Sequence, residues 1–198
     1  MMKYRMTNKC ITYHLAGSGS MKLYQIQALR DISFSVKGYT TLRVCAGDLG
    51  GYIQDERNLS QEGNCWVDEH AIVCKYAKVT EDAWVYGYAR VSGQASIKGY
   101  ASVSDHAQVK DCAVVQGFAR VTGHSVVSGC AVLYGSVIVT DRARIYEQAS
   151  LGGEVRLFEQ ARVYGRTHIR SDLQVFGKNR INTEFVLPEE HTWTTFDH

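Results

Sequence analysis

Two histidines are the side chains best suited to catalysis in this 198-residue chain, because they recur at one fixed interval. His106 and His124 lie 18 positions apart, with His70 two intervals before His106 and Tyr88 between them. Imidazole titrates near neutral pH, so a histidine can serve as a general acid or base or can bind a metal ion. If one turn of the chain has the length of this interval, these rings stack in a column. Simple exposure to solvent at a corner is the alternative interpretation of the same column.

A second set of side chains carries recognition chemistry more than catalytic chemistry. Aromatic residues and arginines recur at the same interval, which is the composition of protein-binding hot spots. Cross-strand stacking, which contributes up to about 1 kcal/mol per pair, is the competing explanation for such columns. The candidate partner-binding residues are Trp66, Trp84, Tyr86, Arg144, Tyr146, Arg162, Tyr164 and Arg166.

The element that must position all of these residues is a six-residue repeat that runs from Cys65 to Lys178. The first residue of each hexad is most often alanine, and the third is always Val, Ile or Leu. A helix repeats its apolar face every three or four residues and a strand every two, so a period of six indicates neither alone. A short fixed period is typical of a solenoid, in which each unit buries its face by stacking on its neighbours.

Each hexad predicts one short strand and one corner. In the first full hexads, Ala71 and Val73 point inward on either side of Ile72, which points outward. The next three residues turn the chain, and the middle one is usually Gly, Asp or Glu. Glycine, and less comfortably aspartate, tolerates the positive φ of a sharp corner, whereas Glu and Lys75 fit that position less well. We predict an all-β parallel β-helix with three hexads in each triangular coil, a length equal to the interval between His106 and His124.

The repeat resembles a known group of proteins. Residues 85–90 (VYGYAR) and 163–166 (VYGR) resemble the V-x-G-x-A-x units of uncharacterised bacterial and prophage hexapeptide-repeat proteins. The opening segment of that family is similar to 47–53 (GDLGGYI), 58–60 (NLS) and 63–67 (GNCWV). The resemblance covers about residues 20 to 180. It implies a left-handed parallel β-helix, the fold of hexapeptide acyltransferases and γ-class carbonic anhydrases, and the handedness rests on the resemblance alone.

The same resemblance implies an alternative activity. Acyltransferases of this fold hold acyl-CoA between subunits and use a histidine as general base, a role open to His106 or His124. No inserted loop interrupts residues 65 to 178 to form a lid, however. The carbonic anhydrases need a third histidine across a subunit boundary. His70 and His106 have the required interval, but Asp111 stands where the third ligand is expected, so we predict no metal site.

Three segments are expected along the chain. An N-terminal β cap occupies 1–46, with strands at 24–29 and 41–44, because an uncovered β-helix end exposes unpaired backbone. The parallel β-helix occupies 47–178, and a C-terminal tail or cap occupies 179–198.

The first coil of the β-helix is expected to be irregular. Ile53 and Leu59 keep the hexad register there, but Asp55 and Gln61 stand where aliphatic residues belong.

Composition narrows the function further. A formal net charge of +2 argues against a polyanionic protein that mimics DNA and against a general polycation. The chain has no membrane-length apolar run and no secretory signal, so we expect a cytoplasmic protein. Its six cysteines show neither CxxC pairs nor zinc-type spacing, and free thiols are expected.

From the sequence we therefore expect a non-catalytic, cofactor-free scaffold that binds a protein partner. The prophage resemblance implies that this partner is a host protein, and it also implies a homo-oligomer, a dimer or trimer, for which the outward Val114, Val126 and Val132 offer a contact. The acyl-CoA-dependent enzyme is the first alternative. Nucleic acid is the second, since residues 141–182 interleave tyrosine with eight basic and five acidic residues.

Overall fold

A computed structural model describes the following residues of the protein: 2–14, 19–36, 39–182 and 186–187. Side chains are described for all of these except 34–36, 39–43 and 186–187. Within the described residues the fold is all-β, with parallel sheets stacked as a β-solenoid of about seven turns and an N-terminal sheet. The predicted all-β parallel solenoid is confirmed.

The strands of the N-terminal part are longer than those of the solenoid. In the N-terminal part and first coil they are β1 Tyr4–His14, β2 Ser20–Ala28, β3 Ile32–Val36, β4 Tyr39–Val44 and β5 Leu49–Ile53, followed by a 3₁₀ turn at Glu56–Asn58. The solenoid strands up to the middle are β6 Trp66–Val67, β7 Ile72–Val73, β8 Lys78–Val79, β9 Trp84–Val85, β10 Arg90–Val91, β11 Ser96–Ile97, β12 Ser102–Val103, β13 Gln108–Val109, β14 Val114–Val115 and β15 Arg120–Val121. The remaining strands are β16 Val126–Val127, β17 Val132–Leu133, β18 Ile138–Val139, β19 Arg144–Ile145, β20 Ser150–Gly152, β21 Arg156–Leu157, β22 Arg162–Val163, β23 His168–Arg170, β24 Gln174–Val175, β25 Arg180–Ile181 and β26 Val186–Leu187.

Each coil of the solenoid contains three hexads, as the sequence predicted. Arg90 pairs in parallel with Ile72 of the coil before and with Gln108 of the coil after. The first face of the solenoid contains β6, β9, β12, β15, β18, β21 and β24. The second face contains β5, β7, β10, β13, β16, β19, β22 and β25, and the third contains β8, β11, β14, β17, β20, β23 and β26.

The first and third residues of the hexads form the core. Ala113 and Val115, for example, are fully buried, and the same holds for their counterparts along the stack. Ser125 and Thr167 replace alanine at the small position, and each hydroxyl donates a hydrogen bond to the backbone carbonyl three residues earlier. These hydroxyls are therefore buried with a partner, which removes most of the cost of burial.

The middle residue of almost every corner adopts the left-handed conformation. At Gly117 φ is 71°, and an added Cβ would lie 2.9 Å from the backbone nitrogen of Gly135 in the next coil. Non-glycine residues take the same conformation, including Lys75 with φ of 59° and Glu81 with φ of 61°. Glutamate and lysine thus occupy this position more readily than the sequence indicated.

Five of the acidic corner residues gain a hydrogen bond that offsets the strain of a positive φ. Each of these five carboxylates accepts from the corner N–H of the next coil, a donor that makes no backbone hydrogen bond in the described residues. The pairs are Glu81 with Gly99 (2.8 Å), Asp105 with Gly123 (3.0 Å), Asp111 with Gly129 (3.1 Å), Asp141 with Glu159 (2.8 Å) and Glu147 with Gly165 (2.9 Å). Glycine relieves the strain, and an acid compensates for it.

Polar residues that break the hexad pattern hold the first coil together. Asp55 caps the 3₁₀ turn by accepting from the backbone N–H of Arg57 at 2.9 Å. The Gln61 amide oxygen accepts from the backbone N–H of Lys3 at 2.8 Å, and its amide nitrogen donates to the Tyr4 carbonyl at 3.1 Å. The irregular coil is therefore joined to strand β1 by side-chain bonds in place of aliphatic packing.

The N-terminal strands extend the second face. Strands β1 and β2 pair antiparallel, β2 pairs antiparallel with β5, and β5 pairs in parallel with β7. The buried Tyr4 donates a hydrogen bond from its hydroxyl to the Leu59 carbonyl at 2.7 Å. This arrangement covers the edge of β5 that would otherwise present unpaired backbone groups.

The solenoid ladder continues beyond Lys178, where the sequence interpretation ended it. Strand β25 pairs with β22, and β26 pairs with β23. Ile181 and Leu187 fall at the third position of two further hexads, so the aliphatic signal was present in the sequence. Residues 183–185 and 188–198 lie outside the described part, and the expected role of the tail remains a prediction.

The core position can be tested with two adjacent valines. Val115 is fully buried, whereas Val114 points outward from the same strand. Val115→Asp should prevent folding, because the carboxylate would be buried without a partner at a cost of several kcal/mol. Val114→Asp should fold and melt cooperatively. Circular dichroism melts of the two variants check this, and a cooperatively folded Val115→Asp protein would contradict the assigned inward positions.

The corner hydrogen bond can be tested at Asp111. Asp111→Ala keeps a Cβ at a φ of 61° and removes the bond to Gly129, so unfolding free energy should fall by about 1 kcal/mol. Asp111→Gly also loses the bond but relieves the left-handed strain, which should restore about 1 kcal/mol. Urea titration measures both changes. An alanine variant as stable as the parent would show that the carboxylate contributes nothing.

Candidate functional site

The candidate histidines stack in one column at the corner that follows the first face. Ring centroids are 4.8 Å apart between His70 and Tyr88, 5.1 Å between Tyr88 and His106, and 4.9 Å between His106 and His124. The rings are close to parallel. The predicted four-residue column is therefore confirmed.

This stack is poorly arranged for metal binding. Imidazole lone pairs lie in the ring plane, so two parallel rings stacked face to face direct their nitrogens side by side and not toward one ion. Across the described residues, no group of three or more His, Cys, Asp and Glu side chains is placed to hold a metal ion. His124 lines an open surface pocket of about 480 Å³ together with Asp141 and Arg142, whereas His106 does not line it.

Hydroxyl groups beside the column are already engaged. Ser104 donates to the Thr122 hydroxyl at 3.1 Å, and Thr122 donates in turn to the Asp105 carboxylate. The hydrogen bond from Thr122, as the largest cause, and the bond from the backbone N–H of Gly123 lower the pKa of Asp105. Neither hydroxyl hydrogen-bonds to an imidazole among the described residues, so the activated Ser–His pair of a nucleophilic enzyme is not formed.

Trp66 is not the exposed binding residue that the sequence suggested. Its side chain is fully buried, because the ring of Tyr4 packs edge-on against it at 6.5 Å and the backbone of Gly50 closes over it. The hexad pattern marks Trp66 as outward but cannot show that the N-terminal strands cover it. Trp84 is half-buried and stacks on Tyr86 with ring centroids 4.2 Å apart, so this pair offers only part of its area.

The arginine and tyrosine columns of the second face come together as expected. Arg144 pairs in register with Arg162, and β25 adds Arg180 as a third stacked arginine that the sequence analysis did not single out. Beside them Tyr146 and Tyr164 stack with ring centroids 5.0 Å apart and planes only 5° from parallel. We call these five residues the arginine–tyrosine ladder. Arg166, the last of the predicted partner-binding residues, lies at the same corner as Tyr164.

A shallow groove of about 480 Å³ runs along this face. Its lining residues are Gln108, Lys110, Val126, Ser128, Arg144, Tyr146 and Arg162. Three of these side chains are cations and none is a carboxylate. Sequence reasoning missed Lys110 and Ser128, although both share a column with Tyr146. The groove therefore presents positive charge together with hydroxyl and amide donors, which is the chemistry that binds carboxylates and other anions.

The positive charge of the ladder is not neutralised within the described structure. Among the residues that the structure describes, no ion pair joins Arg144, Arg162 or Arg180 to a carboxylate. Like charges placed directly opposite one another on neighbouring strands are destabilising. The ladder thus costs stability in the isolated chain, and an anionic ligand would relieve that cost.

The three outward valines expected to make one oligomer contact do not share a face. Val114 pairs with Val132 on the third face, whereas Val126 lies in the groove of the second face. A single flat contact cannot use all three. The uncharged pair on the third face leaves the second face open for a different partner.

Cys112 and Cys130 occupy equivalent corners of adjacent coils. Both thiols are exposed and unpaired, and the Cys112 thiol lies 3.8 Å from the Gln94 amide oxygen. Loss of hydration, and then the neighbouring Cys130 thiol, raise the pKa of Cys112. The Cys112 thiol is therefore held mainly in the protonated, less reactive form near neutral pH.

Comparisons with known proteins leave function to be inferred from this geometry. No family model matches the chain, and no curated protein matches its sequence. Among the described residues no helix has the length and apolar character needed to cross a membrane. The groove, with its arginine–tyrosine ladder, is therefore the feature on which a functional assignment rests.

The thiol pair gives a direct test of the coil length in solution. Fresh protein should contain free Cys112 and Cys130, and deliberate oxidation should join them, because neighbouring strands are about 4.8 Å apart and a disulfide accepts that Cα separation. Peptide mapping after oxidation measures the products. Cys74, which is buried at another column of the same corner, serves as the control. Efficient Cys74–Cys130 pairing would contradict a coil of three hexads.

Proposed function

We propose that the chain is a non-catalytic protein-interaction scaffold whose second face binds an acidic segment of a partner protein. The observation that carries this proposal is the stack of Arg144, Arg162 and Arg180 beside a groove that contains Lys110 and no carboxylate. Arginine binds carboxylates through two parallel hydrogen bonds, so a row of three arginines can engage the carboxylates of an acidic peptide.

The charge pattern around the groove favours a peptide over a nucleic acid. Asp141, Glu147 and Glu159 lie at the corners on either side of the ladder, and they would repel a continuous phosphate backbone. A peptide can place its carboxylates on the arginines and keep neutral residues over these corners. In addition, Tyr146 and Tyr164 each give one ring face to the other, which leaves fewer open faces for bases to stack on.

The rigidity of the face supports binding in another way. The strands that carry Arg144 and Arg162 are held by parallel backbone pairing on both sides, so these arginine positions are fixed before a partner arrives. A preorganised site loses less conformational entropy on binding than a flexible loop does.

The resemblance to hexapeptide-repeat proteins extends this proposal. It implies a left-handed coil and a prophage-type protein directed at a host partner, and the cytoplasmic location expected from composition fits that role. Assembly as a dimer or trimer is compatible with it, since the third face with Val114 and Val132 is separate from the groove. The acyltransferase alternative gains no support from the stacked His106 and His124 rings.

A charge reversal on the ladder tests the proposal. Arg144→Glu/Arg162→Glu should weaken binding of a fluorescently labelled peptide of alternating glutamate and glycine by at least about tenfold, a loss of about 1.4 kcal/mol, because attraction becomes repulsion. Fluorescence anisotropy at low and physiological salt measures the affinity. Arg120→Glu/Arg156→Glu is the matched control, since it makes the same charge change on the first face.

Two outcomes would overturn the proposal. Equal losses in both double variants would show that net charge, and not the ladder, determines binding. Tighter binding of a single-stranded oligonucleotide than of the peptide, lost in the Arg144→Glu/Arg162→Glu variant alone, would assign the same face to nucleic acid.

A further inference from the structure

A buried lysine directly before strand β1 contacts the first hexad of the solenoid, far from the groove. Lys3 is fully buried, and its Nζ donates to the Cys65 carbonyl at 2.8 Å, to the Glu62 carbonyl at 3.2 Å and to Cys65 Sγ at 3.0 Å. An ammonium group has three donors, and here it meets three acceptors. Lysine is almost never fully buried without such partners.

The contact between Lys3 Nζ and Cys65 Sγ is short for a bond to sulfur. The other contacts of this sulfur, with the carbonyls of Val79, Ser60 and Glu62, are 3.5, 3.7 and 3.7 Å long. At 3.0 Å the nitrogen and the sulfur are in direct contact, so a single atom inserted between them could bond to both.

The enclosure shifts both groups toward their neutral forms. Burial, as the largest cause, lowers the pKa of Lys3, and burial likewise raises the pKa of Cys65. A neutral amine carries the lone pair that a new bond to nitrogen requires. The hydrogen bond between the two groups also gives a direct path along which a proton can move.

We propose that Lys3 and Cys65 form a modification site at which dioxygen cross-links Nζ to Sγ through one oxygen atom. The geometry of the pair and its burial carry this inference, which is independent of the proposed partner-binding function. The product is a nitrogen–oxygen–sulfur bridge between strand β1 and the first hexad.

The reaction balances with dioxygen as the only oxidant. The N–H and S–H bonds are replaced by N–O and O–S bonds, and the O–O bond breaks. Nitrogen and sulfur each lose two electrons, and dioxygen takes up all four. One of its oxygen atoms stays in the bridge and the other leaves as water, while the extra proton of the ammonium group is released to solvent. Reduction by four thiol equivalents reverses the process and returns the amine, the thiol and a second water.

Burial selects the reagents that can reach this site. Cys65 is fully enclosed, so a charged or bulky oxidant has no access, whereas dioxygen is small and apolar. The thiol is also held in its protonated form, which disfavours the peroxide chemistry of exposed thiolates. The bridge should therefore form slowly in air and resist reductants while the protein stays folded.

The cross-link would have a structural consequence at the start of the solenoid. It would close a loop between residues 62 positions apart, which reduces the freedom of the unfolded chain. Strand β1 would then stay attached to the first coil even if the hydrogen bonds made by Gln61 opened. Oxidised protein should melt at a higher temperature than protein kept without oxygen.

Mass spectrometry of the full-length protein tests the inference. After exposure to air, the intact mass should rise by one oxygen and fall by two hydrogens relative to protein prepared without oxygen. Peptide mapping under denaturing conditions should find the Lys3 and Cys65 peptides joined, with Cys65 protected from alkylation. Dithiothreitol should reverse the shift in unfolded protein and leave folded protein unchanged.

Two variants and two outcomes make the test decisive. Lys3→Arg keeps a cation with hydrogen-bond donors. Cys65→Ser introduces serine at the first position of a hexad, where the buried Ser125 already occurs in another hexad. Neither variant should show the mass shift. Complete alkylation of Cys65 in air-exposed, unfolded parent protein would overturn the proposal. So would a joined peptide that lacks the added oxygen. Both results come from the parent protein and do not depend on either variant folding.

Discussion

The structure depends on one constraint, which is that the backbone must return to the same position after every third hexad. Parallel pairing between coils requires that each strand lie directly over its predecessor, so the small and aliphatic side chains must recur without a shift. The corners meet this requirement by entering the left-handed conformation, with glycine where strain is removed and an acid where the N–H of the next coil supplies a partner. The buried core residues, the left-handed corners and the arginine–tyrosine ladder therefore all result from the same repeat of three hexads per coil.

Much of this architecture could be predicted from the sequence, because every coil requires the same residue types at the same inward and corner positions. Inward positions follow from the six-residue period, and the stacking of His106 on His124 follows once each coil is taken to hold three hexads. The first coil was harder to predict, since Asp55 and Gln61 act through hydrogen bonds to specific backbone groups and do not belong to the repeat. The burial of Trp66 depends on contacts with Tyr4, distant in sequence and outside the repeat.

The candidate site was predictable in part for the same reason. Arg144 and Arg162 are visible as a column once the coil length is known, and the structure brings them together. Lys110 differs in type from its column neighbours, and Arg180 lies beyond the point where the repeat was taken to end, so a search for repeated residue types passes over both. The Lys3–Cys65 contact joins a residue of the N-terminal part, outside the repeat, to the first residue of the repeat, so sequence spacing gives no signal for it.

The register also determines how a chain of this kind can change in length during evolution. Loss or duplication of three consecutive hexads removes or adds a whole coil and leaves every downstream side chain on its original face. Loss of a single hexad preserves the alternation of small and aliphatic residues in the core, yet it rotates the whole downstream surface by one side of the triangle. Arg162, for example, would move from the second face to the first. The surface pattern of such a solenoid is thus preserved only when whole coils are gained or lost, whereas the core tolerates the gain or loss of single hexads.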